Sequence, residues 1–213
     1  MKSINNYIFE KLIINKNTND KKHYSYFPKD KDQLKYIINT IIHNNKNNKI
    51  IDLNCINTSK ITNMAFLFDG LTSIKKIDIS DWDVSNVKSF AHMFYSCTNL
   101  ISIGDLYSWN VSNVVNMSNM FYYCSKLKSI GDISKWNISK VTDLWCMFGY
   151  CNSLDNIGDL SSWNVENIND FSYMFYECTS LKNVGDLSSW KIKQDANTEH
   201  ILFNCPAKKY ANI

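Results

Sequence analysis

The stretch WNVSNVVNMSNMFYYCSKLKSIGDISKW, residues 109–136, begins and ends on tryptophan, and its reading decides the fold. Its two tryptophans belong to a column (Trp82, Trp109, Trp136, Trp163 and Trp190) spaced every 27 residues. A second column, Cys97, Cys124, Cys151, Cys178 and Cys205, keeps the same interval fifteen residues later. Two columns holding one period through five units mark an internal repeat, the signature of a quasi-one-dimensional architecture. Working backward, residues 56–68 align with 82–94, but that unit lacks the later glycine and is 26 residues long. Working forward past Trp190, the chain turns polar, and only Ile201, Leu202, Phe203 and Cys205 keep the register.

With each Trp counted as position zero, apolar residues fall at positions 0, 2, 5, 8, 11, 12, 15, 18, 21 and 24. This is neither a sustained helical period nor strand alternation. A chain that turns a side chain inward every two or three residues is winding around a narrow core. The expected fold is therefore a repeat solenoid, leucine-rich-repeat-like, with stacked short parallel strands, single helical turns and an N-terminal helical cap. Leu100-Ile101-Ser102-Ile103 reads as a short strand, and the Val-Ser-Asn-Val segment as a second. Met-x-x-Met-Phe, apolar at helical spacing, reads as one helical turn. Gly104, Gly131, Gly158 and Gly185 read as a bulge or tight turn. Six coils at ~4.8 Å give a stack of roughly 24–30 Å.

The chain divides into a head over residues 1–50, a solenoid of about six coils over 51–205, and a tail over 206–213. Within the head, Pro28, Asp30 and Gln33 open a helix over about 29–44. Leu34, Ile37, Ile38, Ile41 and Ile42 form its apolar face, which is expected to cover the open end of the first coil. A hairpin of residues 7–14 and 23–27 is a further expectation.

Hydrophobic residues make up 45% of the chain and charged residues 20%, enough for a sizeable core. Residues 1–50 carry ten Lys against four acidic residues, so a basic head precedes an acidic body. Every basic residue other than histidine is Lys; without Arg forks to read phosphate or guanine, specific nucleic-acid recognition is not expected. No apolar run is long enough to span a bilayer, and no signal peptide or lipid anchor is visible.

The columns also bear on chemistry. Seven Cys, five of them in one column and without C-x-x-C spacing, read as buried free thiols rather than metal ligands or disulfides. The Trp column reads as core, with indole N–H groups tied to backbone. Asp105, Asp132, Asp159 and Asp186 follow the glycines; they read as caps of local N–H groups rather than a calcium ladder. His23, His43, His92 and His200 are read in unrelated registers, giving no constellation with Cys or Asp. No phosphate loop, dinucleotide fingerprint or zinc motif is present, so no catalytic residue, metal or cofactor is expected. Tyr95, Tyr122 and Tyr176 form a column beside Phe, with Tyr123 and Tyr150 in the next, and Trp145 stands where other coils have Ala91, Ser118 and Ser172. These six aromatic residues are the candidate partner contacts, against the alternative of local packing.

Trp109-Asn110-Val111-Ser112-Asn113-Val114 followed by Met117-Ser118-Asn119-Met120-Phe121-Tyr122-Tyr123-Cys124 resembles the BspA-like leucine-rich repeat family of bacterial surface proteins. So do Pro28 to Leu34 and Asp52 to Ser59, and the resemblance runs over residues 24–205. It implies a leucine-rich-repeat-like solenoid at a cell surface, with roles in adhesion and cell contact, and it carries no catalytic residues. The function expected is a non-catalytic, adhesin-like scaffold for a protein or glycan partner, presented on its Tyr-bearing side or on its polar strand face. The alternative is an intracellular interaction module.

Overall fold

The computed structural model describes residues 24–45 and 50–213. Residues 7–14 and His23 lie outside the described residues, and with them most of the expected hairpin. In chain order come helix α1 (Lys31–Asn44), strands β1 (Ile51–Asp52) and β2 (Ile77–Asp78), a 3-10 turn at Leu187–Ser189 and the short helix α2 (Lys208–Ala211). Tyr26, ahead of α1, makes a parallel bridge to Ile56.

Regular elements this sparse leave most backbone groups to be paired another way. They pair with the neighbouring unit. Parallel bridges join Asn63, Ser89, Asn116, Asp143, Asp170 and Asn197 in succession, and a second series joins Lys76, Ser102, Ser129 and Asn156. β1 and β2 extend the second series by pairing Ile51 with Ile77. Each bridge steps 26 residues at the first unit and 27 thereafter, the same offsets as the sequence columns. Every unit therefore lies on the one before it, like on like.

The ten apolar positions face one continuous core. In the units beginning at Trp82, Trp109, Trp136 and Trp163, every one of them is at most 4% exposed. Phe68, Phe94, Phe121, Phe148 and Phe175 stack with centroids 4.9–5.6 Å apart and interplanar angles of 2–10°. Each buried ring contributes about 1.5–3 kcal/mol of transfer free energy. At the N-terminal end, α1 adds Leu34, Ile37, Ile38 and Ile42 to the same core. Asp30 Oδ1 accepts from the Gln33 N–H at 2.9 Å, and Gln33 Oε1 accepts from the Lys29 N–H at 3.0 Å. The first bond pairs one of the helix's otherwise unpaired N–H groups, and the second ties the chain just ahead of the cap back to the first turn. Lys35 Nζ donates to the Phe66 carbonyl, which ties α1 to the first unit.

Three local features differ from the sequence expectations. Val84–Val87 and its equivalents are tight turns, not strands: the fourth residue donates to the first at 2.8–3.0 Å in four units. An Asx side chain just before each turn draws the chain round, as when Asn110 Oδ1 accepts from the Ser112 N–H. At residues 100–103 pairing is a single bridge at Ser102 rather than a run of strand. The Met-x-x-Met-Phe stretch is not a helical turn, and its geometry shapes the outer surface.

Candidate functional site

From position 7 to position 15 of each unit the backbone makes a run of overlapping turns. In the unit starting at Trp82, Met93, Tyr95 and Cys97 donate within the unit to the carbonyls of Phe90, His92 and Phe94. The N–H groups between them point along the stack: Phe90, His92, Phe94 and Ser96 donate to Asn116, Ser118, Met120 and Tyr122 of the next unit. Ala91 is left over, and its N–H goes to Ser89 Oγ. Asn63, Asn116, Asp143, Asp170 and Asn197 supply that acceptor in the other units.

Alternating N–H directions require alternating backbone conformations. Positions 10 and 14 sit at positive φ in all six units: Phe66, His92, Asn119, Cys146, Tyr173 and His200 at the first, Gly70, Ser96, Tyr123, Tyr150, Glu177 and Asn204 at the second. Eleven of the twelve are not glycine, at roughly 1–2 kcal/mol each, a cost offset by the inter-unit hydrogen bonds they aim.

Positions 9, 10, 13 and 14 are the outer side of this run, and there the aromatic residues gather. Phe66 stacks on His92 at 4.5 Å, His92 meets Tyr95, and Tyr95 stacks on Tyr122 at 5.3 Å. Tyr123 and Tyr150 stack at 4.6 Å, and Tyr176 stacks on Phe203 at 5.0 Å. The result is one aromatic stripe along the whole stack.

The stripe is interrupted in the fourth repeat. Position 13 carries Tyr95, Tyr122, Tyr176 and Phe203, but Asp69 in the first unit and Gly149 in the fourth. Gly149 is not at positive φ, so the backbone does not demand it; a Cβ there would meet Tyr122 Cδ2 at 3.0 Å. The missing ring opens a notch of about 250 Å³, lined by Tyr122, Trp145, Cys146, Tyr150, Tyr173 and Tyr176. Tyr150 bridges it, edge-on to Tyr122 at 5.7 Å and to Tyr176 at 5.3 Å.

Trp145 stands at the rim, 44% exposed. The five column tryptophans are at most 7% exposed, and each donates its indole N–H to a carbonyl of the preceding unit at 2.9–3.4 Å. The Trp145 indole bonds to nothing and stacks on no ring among the described residues.

Four groups lining the notch, Cys146, Tyr122, Tyr150 and Tyr173, have raised pKa values. Burial pushes the Cys146 thiol up to about 12, with Asp170 and Asp143 adding to it. Burial likewise takes the Tyr122 phenol to about 12, helped by Cys146 and the neighbouring tyrosines. Tyr173 is raised by its hydrogen bond to Glu199 Oε1 at 3.1 Å, then by burial. Burial raises Asp143 despite its bond from the Trp145 N–H, and Asp170 adds to the rise. No Lys lines the notch.

Of the six residues singled out from the sequence, Tyr122, Trp145, Tyr150 and Tyr176 line the notch. Tyr123 flanks it on Tyr150, and Tyr95 lies one ring along on Tyr122. Sequence reasoning missed Tyr173, Cys146 and Gly149; a gap in the aromatic column at position 13 was the available signal. It also misread the histidines. His92 and His200 share position 10 and belong to the stripe.

The other columns are structural in their contacts. Cys97, Cys124, Cys151 and Cys178 donate their thiols to Phe carbonyls of the preceding unit at 3.0–3.1 Å, and all seven Cys are free. Asp78, Asp132, Asp159 and Asp186 each accept the N–H two residues on, at 2.9–3.0 Å, which lowers their pKa; Asp105 makes the same bond. Among the described residues no cluster of three His, Cys, Asp or Glu is placed to hold a metal, and no helix is long and apolar enough to cross a membrane.

A family model described as "Mycoplasma protein of unknown function, DUF285" matches the chain twice, over residues 37–130 and 102–212. No curated protein and no solved structure shows significant similarity. The two overlapping matches run from the middle of α1 through all the stacked units, and the chain belongs to the DUF285 family.

Proposed function

We propose that this protein is a non-catalytic binding scaffold, a leucine-rich-repeat-like solenoid of the BspA-like kind that engages a protein or glycan through its outer aromatic stripe. One observation carries the reading. Where five tryptophans are buried and hydrogen-bonded, the sixth, Trp145, stands exposed and without a hydrogen-bond partner among the described residues, beside a notch where Gly149 replaces the ring of its neighbours. Trp and Tyr are over-represented among residues that dominate binding energy, because large rigid rings bury area at little entropic cost. The opposite face offers mostly Ser, Asn and Lys, a weaker anchor. The raised Cys146 thiol is neutral near pH 7 and so is a poor nucleophile, which supports binding over catalysis.

The resemblance to BspA-like proteins favours a surface, adhesin-like setting. The seven free thiols favour a second reading, an interaction module in a reducing compartment. Fractionation of native cells separates the two. The binding claim is tested by presenting the protein to arrayed glycans and extracellular-matrix proteins, with Trp145→Ala in parallel. The reading expects a partner whose retention drops on that substitution; silence across both arrays, or binding indifferent to Trp145, counts against it.

A further inference from the structure

Resting on that reading, we infer that the notch at Gly149 receives a quaternary ammonium group, as carried by a choline-type headgroup. An aromatic face is negative at its centre, so a cation set against several faces is attracted without needing a hydrogen-bond acceptor. The notch offers Trp145 and four tyrosines drawn from three successive units, in a volume of about 250 Å³. Tyr122, Tyr150 and Tyr176 meet edge-on at 5.3–5.7 Å, so their faces point different ways around one space instead of stacking closed. On either side of the break the same column closes up: Tyr95 and Tyr122, and Tyr176 and Phe203, lie face to face.

Charge points the same way. Asp143 and Asp170 are near enough to raise the Cys146 thiol, and Glu199 holds the Tyr173 hydroxyl, whereas no Lys lines the space. The carboxylates are second in line: Asp143 accepts from the Trp145 N–H and Asp170 from the N–H and hydroxyl of Ser172. A primary ammonium would give up water for which the notch offers no direct carboxylate in exchange. A methylated ammonium has no N–H to satisfy, and its methyl groups suit apolar walls.

The test titrates the full chain with choline, following the exposed Trp145 by fluorescence and the heat by calorimetry. The control ligand is 3,3-dimethyl-1-butanol, the same shape without the charge. Choline is expected to bind about ten-fold or more tightly than this neutral isostere. Trp145→Ala and Gly149→Tyr should each abolish choline binding while leaving the thermal unfolding midpoint near that of the parent. Equal binding of the two ligands overturns the cation assignment and leaves an apolar pocket. Absence of choline binding in a protein that still holds an arrayed partner through Trp145 also overturns it, and leaves the scaffold reading standing. Two further arms, soluble phosphocholine and phosphatidylcholine vesicles, separate a free cation from a lipid headgroup. Capture by both vesicles and soluble headgroup, each lost in Trp145→Ala, supports the lipid source; soluble binding alone supports the free cation.

Discussion

Trp136 and Trp145 are nine residues apart, yet they live in different worlds. Trp136 is 3% exposed, lies parallel to Trp109 and donates its indole N–H to the Leu106 carbonyl. Trp145 is 44% exposed and stacks on no other ring among the described residues. The difference teaches where repetition matters. Inside, each unit must present its neighbour with the shape it receives from the unit before, so the columns are held to Trp, Val, Phe, Cys and Leu. Outside, at positions 9, 10, 13 and 14, side chains range from buried (Asn119, Cys146, Ser172) to exposed (Phe66, Tyr123, Trp145), no one shape has to recur, and there the units diverge.

Truncation breaks the comparison most sharply. Trp136→Ala removes a fully packed indole and one of the two hydrogen bonds accepted by the Leu106 carbonyl, and should cost about 3–5 kcal/mol in denaturant unfolding. Trp145→Ala should change stability by no more than about 0.5 kcal/mol. Equal effects would erase the distinction between the two columns.

A smaller but still large effect belongs to the glycines. Gly131 has φ +82°, and a Cβ there would lie 1.9 Å from Asp105 Oδ1 of the preceding unit. Gly131→Ala combines left-handed strain with a clash across the stack and should cost about 2–4 kcal/mol by the same measurement.

Base is the next test, and it reaches the buried thiols of the Cys column. Burial raises the Cys124 and Cys178 thiols well above their ordinary value and takes Cys205 to about 11. A raised thiol pKa means that the folded state favours the neutral form. Stability from this source is complete below the unfolded value of about 8.5 and is lost as pH rises toward 11. The thermal midpoint should therefore fall progressively above pH ~9, and replacing these three cysteines with alanine should flatten that fall. A small effect is also expected at the break itself. Gly149→Tyr, which restores the ring carried by Tyr95, Tyr122 and Tyr176, should move stability by about 1 kcal/mol or less, because the new Cβ asks the Tyr122 ring to give by only a few tenths of an ångström.

How much of this was legible in the sequence follows from the same contrast. The period of 27 and the inward positions could be read because each is repeated, and the hydrogen-bond offsets carry the same number. The helix face at Leu34, Ile37, Ile38 and Ile42 was readable from its spacing and from Asp30 and Gln33. The turn run was not readable. Apolar residues at positions 8, 11, 12 and 15 have the i, i+3, i+4, i+7 spacing of a helix, yet here they mark successive turns with left-handed residues between them. Nothing in His92, Tyr150 or Glu177 announces a positive φ; only Gly70, at position 14 of the first unit, and the Asn residues hint at it. Trp145 and the tyrosines were found as departures from the pattern, but Tyr173 was not, because position 10 varies too much to look like a column. Gly149 was missed because its meaning lies in the ring it lacks.

The central claim is that alternate N–H groups of the turn run are spent on the next unit, so that stacking, and not local helix, holds the chain. Native-state amide hydrogen exchange tests this residue by residue at position 10. Phe66, His92, Asn119, Cys146 and Tyr173 donate to Ala91, Ser118, Trp145, Ser172 and Glu199 and should be strongly protected. His200, in the last unit, has no such acceptor among the described residues and should exchange quickly. Protection of His200 equal to that of the other five, or rapid exchange at all six, would contradict the account.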